Sequence, residues 1–177
     1  PAANYYAGFI EYSTGDYDEA LTDLRKAETN ASYAAIVPYL IANVYYKQKK
    51  YDELLSYTNA LKNKTGLQNA KEIAMLSAEA HYFKGDYERA AEAYEGFLAQ
   101  NPGSAEGSLL FRAGYSNYAL NNTAKAVTYL SKAAASKDSV SHYASYYLGI
   151  VYLKNGEKPL ALNAFDYSRR VPKDQKL

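Results

Sequence analysis

The chain of 177 residues has no cysteine and no tryptophan, one methionine, two histidines and five prolines. Without cysteine there is neither a disulfide nor a thiolate-bound metal. No run of 18 or more apolar residues occurs, which excludes a membrane-spanning helix of ordinary length. An excess of one charge is also missing: 20 Lys and Arg against 19 Asp and Glu leave a formal net charge of +1. Binding to a phosphate backbone relies on a basic surplus, so nucleic acid is not expected as a partner. The start lacks the basic-then-apolar pattern of a secretory signal, and Pro1 opens the chain without methionine. A processed chain or a piece of a longer protein is the expectation, with any targeting signal outside the sequence.

What is abundant is tyrosine, 21 residues of it, and it is arranged periodically. A small residue inside a tyrosine-rich helical segment recurs at Gly8, Ala42, Ala78, Gly114 and Gly149, at intervals of 34, 36, 36 and 35. A second position keeps the same beat at Ala20, Leu54, Ala90, Ala126 and Ala161. A period in this range marks a stacked array of helical repeats. Five units follow, at about 1–31, 32–68, 69–103, 104–138 and 139–172, with a tail at 173–177 and no flexible linker between them.

Each unit reads as two helices joined by a tight turn. Gly15 ends one helix in the left-handed conformation, and Asp16 with Glu19 forms a capping box for the next. Gly85-Asp86 repeats the pattern, Asn121-Asn122 and Asn155-Gly156 substitute related breakers, and Lys49-Lys50 is a weaker turn. Asn69 with Glu72, and Asn101-Pro102-Gly103-Ser104, restart the helices between units. The small residues leave room where the two helices of a pair cross, with Ala20, Ala90, Ala126 and Ala161 expected opposite them. Leu54 departs from that rule. Pro38, inside the apolar run 33–46, is expected to kink or restart its helix and to bend the array there.

These residues resemble the tetratricopeptide repeats. The carriers are Gly8 to Ala27, centred on Gly15-Asp16-Tyr17-Asp18-Glu19-Ala20, and Ala78 to Pro102, centred on Gly85-Asp86-Tyr87-Glu88-Arg89-Ala90 and followed by Tyr94 and Asn101-Pro102. The usual early tryptophan is replaced by Asn4, Pro38, Ala74, Leu110 and Ser145, and the closing proline occurs only as Pro102. The resemblance implies an all-α α-solenoid of five helix-turn-helix repeats in a right-handed superhelix whose inner wall is made by the first helix of each pair. More loosely, the units with Tyr45-Tyr46 and Gly149 to Tyr152 look like repeat proteins of the bacterial cell envelope, including those that assist outer-membrane assembly. That likeness implies a periplasmic or outer-membrane-associated place.

On the inner wall the face flanking each small residue comprises Tyr5, Phe9 and Tyr12; Tyr39, Asn43 and Tyr46; Met75, Glu79 and Tyr82; Phe111, Tyr115 and Tyr118; Tyr146, Ile150 and Leu153. Ten of these fifteen are aromatic, more apolar surface than a monomer normally leaves open without a binding reason. Tyrosine anchors interfaces at low entropic cost, so a groove for a peptide or protein segment is expected. A purely structural stacking of rings, or a second copy of the chain, are the alternatives. Some family members hold a terminal carboxylate with Lys, Asn and Arg on successive first helices. Here those places carry Tyr5, Phe9, Leu40, Glu72 and Leu76, or one unit later Tyr39, Asn43, Leu76, Ser108 and Arg112, so the lysines are absent. Glu72 and Glu79 instead favour a basic segment.

No catalytic chemistry is legible. His81 and His142 stand in different units without cysteine, metal-ligand spacing or a nucleophile elbow, and no glycine loop cradles phosphate. His81 reads as a packing histidine. An enzyme, a cofactor and a metal are therefore not expected. No capping helix closes the last unit, so at least one end is expected to continue into further protein.

Overall fold

The computed structural model describes residues 1–101, 103 and 105–170. Pro102 and Ser104 of the expected restart, and the tail at 173–177, lie outside the described residues. The described residues form ten α-helices and no strand: α1 (Ala2–Thr14), α2 (Tyr17–Glu28), α3 (Val37–Lys47), α4 (Tyr51–Ala60), α5 (Ala70–Phe83), α6 (Tyr87–Gln100), α7 (Gly107–Ala119), α8 (Thr123–Ala135), α9 (Ser141–Lys154) and α10 (Lys158–Arg170).

One backbone conformation turns each first helix into its second. Gly15, Lys49, Gly85, Asn121 and Gly156 all have positive φ, between 56° and 94°, at intervals of 34, 36, 36 and 35. The following residue, Asp16, Lys50, Asp86 or Asn122, has φ from −80° to −82° and ψ from 66° to 71°. Lys49-Lys50 thus makes the same turn as the glycine pairs, although a lysine pays a steric penalty for left-handed backbone that glycine does not. At Gly15 the amides of Gly15 and Asp16 both donate to the Glu11 carbonyl, each at 2.9 Å, which closes the helix end.

The capping box at Asp16 does not form. Its carboxylate accepts from the Thr14 hydroxyl at 2.6 Å and makes no bond to the α2 amides. Asp86 does cap its helix, accepting from the Arg89 amide at 3.3 Å. Asn69 precedes α5 with φ 56° and no side-chain bond, so it starts that helix by backbone conformation alone. Pro38 sits in the first turn of α3, where its missing N–H has no intrahelical acceptor to lose. It restarts a helix instead of kinking one.

The contacts divide the chain into two compact units, Pro1–Lys84 and Gly85–Leu177. In the first, α1 pairs with α2 and α3 with α4, and α5 packs on α3 and α4 around Leu24, Ile41, Val44 and Leu54, all fully buried. In the second, α6 packs on α7, α7 pairs with α8 and α9 with α10, around Tyr94, Ala113, Ala126, Leu130 and Val151. Removing a leucine side chain such as Leu24 or Leu130 from water contributes about 1.5–3 kcal/mol.

The small crossing residues are buried as expected, and at the three glycines the nearest atoms belong not to the alanines but to larger residues. A Cβ added to Gly8 would meet Leu24 Cγ at 2.7 Å; one on Gly114 would meet Leu130 Cγ at 2.8 Å, and one on Gly149 would meet Phe165 Cε1 at 2.6 Å. Each partner lies one helical turn beyond the expected Ala20, Ala126 or Ala161. The alanines are themselves buried, at 0, 0 and 2% exposure, and let the second helix approach while the larger residue caps the glycine.

Candidate functional site

Side chains at i and i+4 or i+7 share a helix face, so Phe111, Tyr115 and Tyr118 project together from α7. The next first helix, α9, adds Tyr143 and Tyr147. Tyr147 is in ring contact with all three, at centroid distances of 6.0, 4.8 and 5.4 Å, and Tyr143 lies 6.4 Å from Phe111. Tyr87, from α6, meets Tyr115 edge-on at 5.6 Å. Burial first, and then the Tyr115 hydroxyl, push the phenols of Tyr87 and Tyr147 above the ordinary range. Lys154 closes one end with its ammonium 4.7 Å from the Tyr118 ring centroid, a cation–π contact.

The first unit distributes its aromatics differently. Tyr5 stacks on Tyr33 at 4.8 Å, Tyr12 approaches Tyr17, and Tyr46, Tyr51 and Phe83 form a group in which Tyr51 and Phe83 stack at 5.5 Å. Tyr82 packs edge-on against Phe83. Tyr39 is half-buried, and its carbonyl accepts from the Asn43 amide at 2.9 Å, so Asn43 bonds to its own helix. Glu79 is buried, 8% exposed, and accepts from the Tyr46 hydroxyl at 3.4 Å. It is committed inside the unit and offers no open carboxylate to a basic segment; Glu72 is exposed.

Polar rungs link successive repeats in this unit. Arg25 donates to the Tyr45 hydroxyl at 2.9 Å and lies over the Tyr57 ring at 4.8 Å, while the Tyr57 hydroxyl donates to Glu28 Oε1 at 2.7 Å. Burial together with the bond to Glu28 pushes the Tyr57 phenol far above the usual tyrosine value.

None of the ten aromatics expected on the wall is buried: Phe9 and Tyr146 are exposed, and the other eight are half-buried. The structure brings Phe111, Tyr115 and Tyr118 together as expected. Tyr146 touches Tyr147 but leans toward Phe165 of the paired helix α10, 5.9 Å away. Tyr87, Tyr143 and Tyr147 escape the sequence reading. For Tyr143 and Tyr147 the signal was an offset between neighbouring first helices, since Phe111 meets residues 32 and 36 positions later and not the one at the full repeat interval of 35, whereas Tyr87 comes from the second helix α6.

Among the described residues no group of three His, Asp or Glu could hold a metal ion, and no helix is long and apolar enough to cross a membrane. His142 is 6% exposed, with its ring 3.8 Å from that of Tyr143.

Solved structures with this fold include MamA 41-end from Desulfovibrio magneticus RS-1, with a TM-score of 0.78 and 14% identity over 96% of this chain and 93% of that one. MamA AMB-1 matches with a TM-score of 0.78 and 16% identity over 96% of this chain and 90% of that one. The apo form of RapI matches with a TM-score of 0.74 and 21% identity over 95% of this chain and 52% of that one. No curated protein matches the sequence. The family model described as tetratricopeptide repeat matches residues 39–105 and 111–174, most of the chain. With its ten helices and its turn repeated five times, the chain belongs to the tetratricopeptide repeat family.

Proposed function

We propose that this protein is a non-catalytic interaction scaffold and that it binds a peptide or protein segment on its tyrosine-lined first-helix faces. Mediating protein–protein interaction is what such repeats typically do. The observation that carries the finer reading is the continuous ring cluster of Tyr87, Phe111, Tyr115, Tyr118, Tyr143 and Tyr147, of which Tyr143 is exposed and the others half-buried. Tyr94, by contrast, is enclosed in the core at 0% exposure. Half-exposed tyrosines present an apolar face with a hydroxyl at the rim, the combination that anchors a bound segment.

The test is affinity capture with the wild-type chain and a variant in which Phe111, Tyr115 and Tyr118 are all alanine. A retained protein lost by the variant, with helical content and Tm near wild type, is the expected result. Identical captures would remove the reading. The likeness of the tyrosine-rich units to envelope proteins supports a periplasmic or outer-membrane-associated place, which cell fractionation checks.

A further inference from the structure

Where two successive second helices flank a first helix, the repeat register shows what fills the space between them. Between α2 and α4 it holds the Tyr57 ring, with Arg25 over its face and Glu28 accepting its hydroxyl, beside Tyr45 of α3. Between α6 and α8 the same positions carry Tyr129, Glu95 and Leu98, and both Asn117 of α7 and Lys125 of α8 donate to Glu95. Burial first, and then Glu95, push the Tyr129 phenol above the ordinary range, which sets that ring beside the carboxylate.

Between α8 and α10 these positions are cut back together. Ser131 stands for Arg25 and Glu95, Ala134 for Glu28 and Leu98, Ala164 for Tyr57 and Tyr129, and Leu160 for Lys125. What remains is a cleft of about 370 Å³. Ser145 and Leu148 of α9, 1 and 8% exposed, line its floor. Its walls are α8 and α10, both present, so it lies inside the second unit. Helix α9 turns Tyr143 and Tyr147 toward the ring cluster and Ser145, Leu148 and Tyr152 toward the cleft, on opposite sides of one helix.

The lining sets the chemistry of an occupant. No charged side chain lines the cleft, so an ion entering it would lose hydration with nothing to replace it. Ser131, Tyr152, Asn163 and Tyr167 bring neutral hydroxyl and amide groups to it, and none of the four makes a side-chain hydrogen bond among the described residues. A mostly apolar space of this size with a few neutral polar groups has the character of a small-molecule site.

We propose that the α8–α9–α10 cleft binds a small uncharged aromatic molecule of the phenol class. Its ring takes the place beside Ala164 that tyrosine rings fill in the other two clefts, and its hydroxyl meets the neutral groups of the lining. The inference does not depend on the ring cluster of α7 and α9.

The probe is p-cresol, a free tyrosine side chain, titrated into the isotope-labelled full chain and followed by NMR. Saturable shifts at Ser131, Ala134, Leu148 and Ala164 are expected, with Phe111 and Tyr115 unmoved. The carboxylate analogue p-hydroxybenzoate should bind more weakly by about tenfold or more. Ala134→Glu combined with Ala164→Tyr rebuilds the rung of α2 and α4, so it should keep helical content and abolish the p-cresol shifts. Ala134→Leu, a single change at a half-buried helix position, should weaken binding by about tenfold and serves where the double variant fails to fold. A wild-type chain that never saturates, or binding that survives these substitutions, would overturn the proposal. A capped Gly-Tyr-Gly peptide that saturates the same residues more tightly than p-cresol would overturn it in favour of an anchor for a partner's side chain.

Discussion

The two units use the same amino acid for different work. In the first unit tyrosine hydroxyls are struts: Tyr57 to Glu28, Tyr45 to Arg25 and Tyr46 to Glu79 tie one repeat to the next. In the second unit the rings contact one another, and the polar rung there is built by Asn117, which donates to Glu95 and accepts from Asn122 at 3.3 Å. Where an amide takes over the strut, the rings of α7 and α9 form one wall. Tyr45 and Tyr57 find Arg25 and Glu28 on the preceding second helix and Tyr46 finds Glu79 on the next first helix, whereas at the position equivalent to Tyr45 α7 of the second unit has Asn117.

That comparison can be broken most forcefully at the helix crossings. Gly114→Leu forces atoms into Leu130, whose backbone nitrogen lies 2.9 Å from the added Cβ, so the backbone must shift. A loss of about 1–3 kcal/mol or more is expected. Hydrogen exchange should show it concentrated in α7 and α8, with α1 to α4 protected as before.

Removing hydroxyls separates strut from wall. Tyr57→Phe deletes a bond to a charged acceptor and should cost about 1.5–3 kcal/mol in chemical denaturation, whereas Tyr115→Phe should cost about 0.5–1.5 kcal/mol. Equal costs would erase the distinction. The Tyr57 phenol is raised in the folded state, so its contribution is full below the unfolded tyrosine value and is lost as pH climbs above it. Wild-type Tm should accordingly fall in strongly alkaline solution, and Tyr57→Phe should flatten that fall.

The smallest effect sharpens the comparison at the turns. Lys49 and Asn121 hold the same left-handed backbone, at φ 56° and 59°, but asparagine tolerates it better than lysine. Lys49→Gly should raise stability by about 1 kcal/mol, and Asn121→Gly by less, read from paired thermal melts.

Much of the fold was legible because the turns and crossings are decided locally. Gly15, Gly85 and Gly156 mark their own conformation, and Lys49 was underestimated only because its residue type does not reveal that its neighbours impose the same turn. The crossing glycines were found, but Leu24, Leu130 and Phe165 were not identified as their partners, since a helix-to-helix contact depends on rotation about both axes. At the wall, Phe111, Tyr115 and Tyr118 were found from the spacing on one helix. Tyr147 was passed over for Tyr146 because two adjacent tyrosines on α9 look alike until the neighbouring helix is placed.

The sequence alone determined the repeat, its five turns and its small crossing positions, because each follows from residue types at fixed spacing, and composition alone fixed the near balance of charge. Only the tertiary structure decided which tyrosines are struts and which form a wall, and where Glu79 is spent. Those depend on the offset between neighbouring helices, a few ångströms set by packing that no single helix encodes.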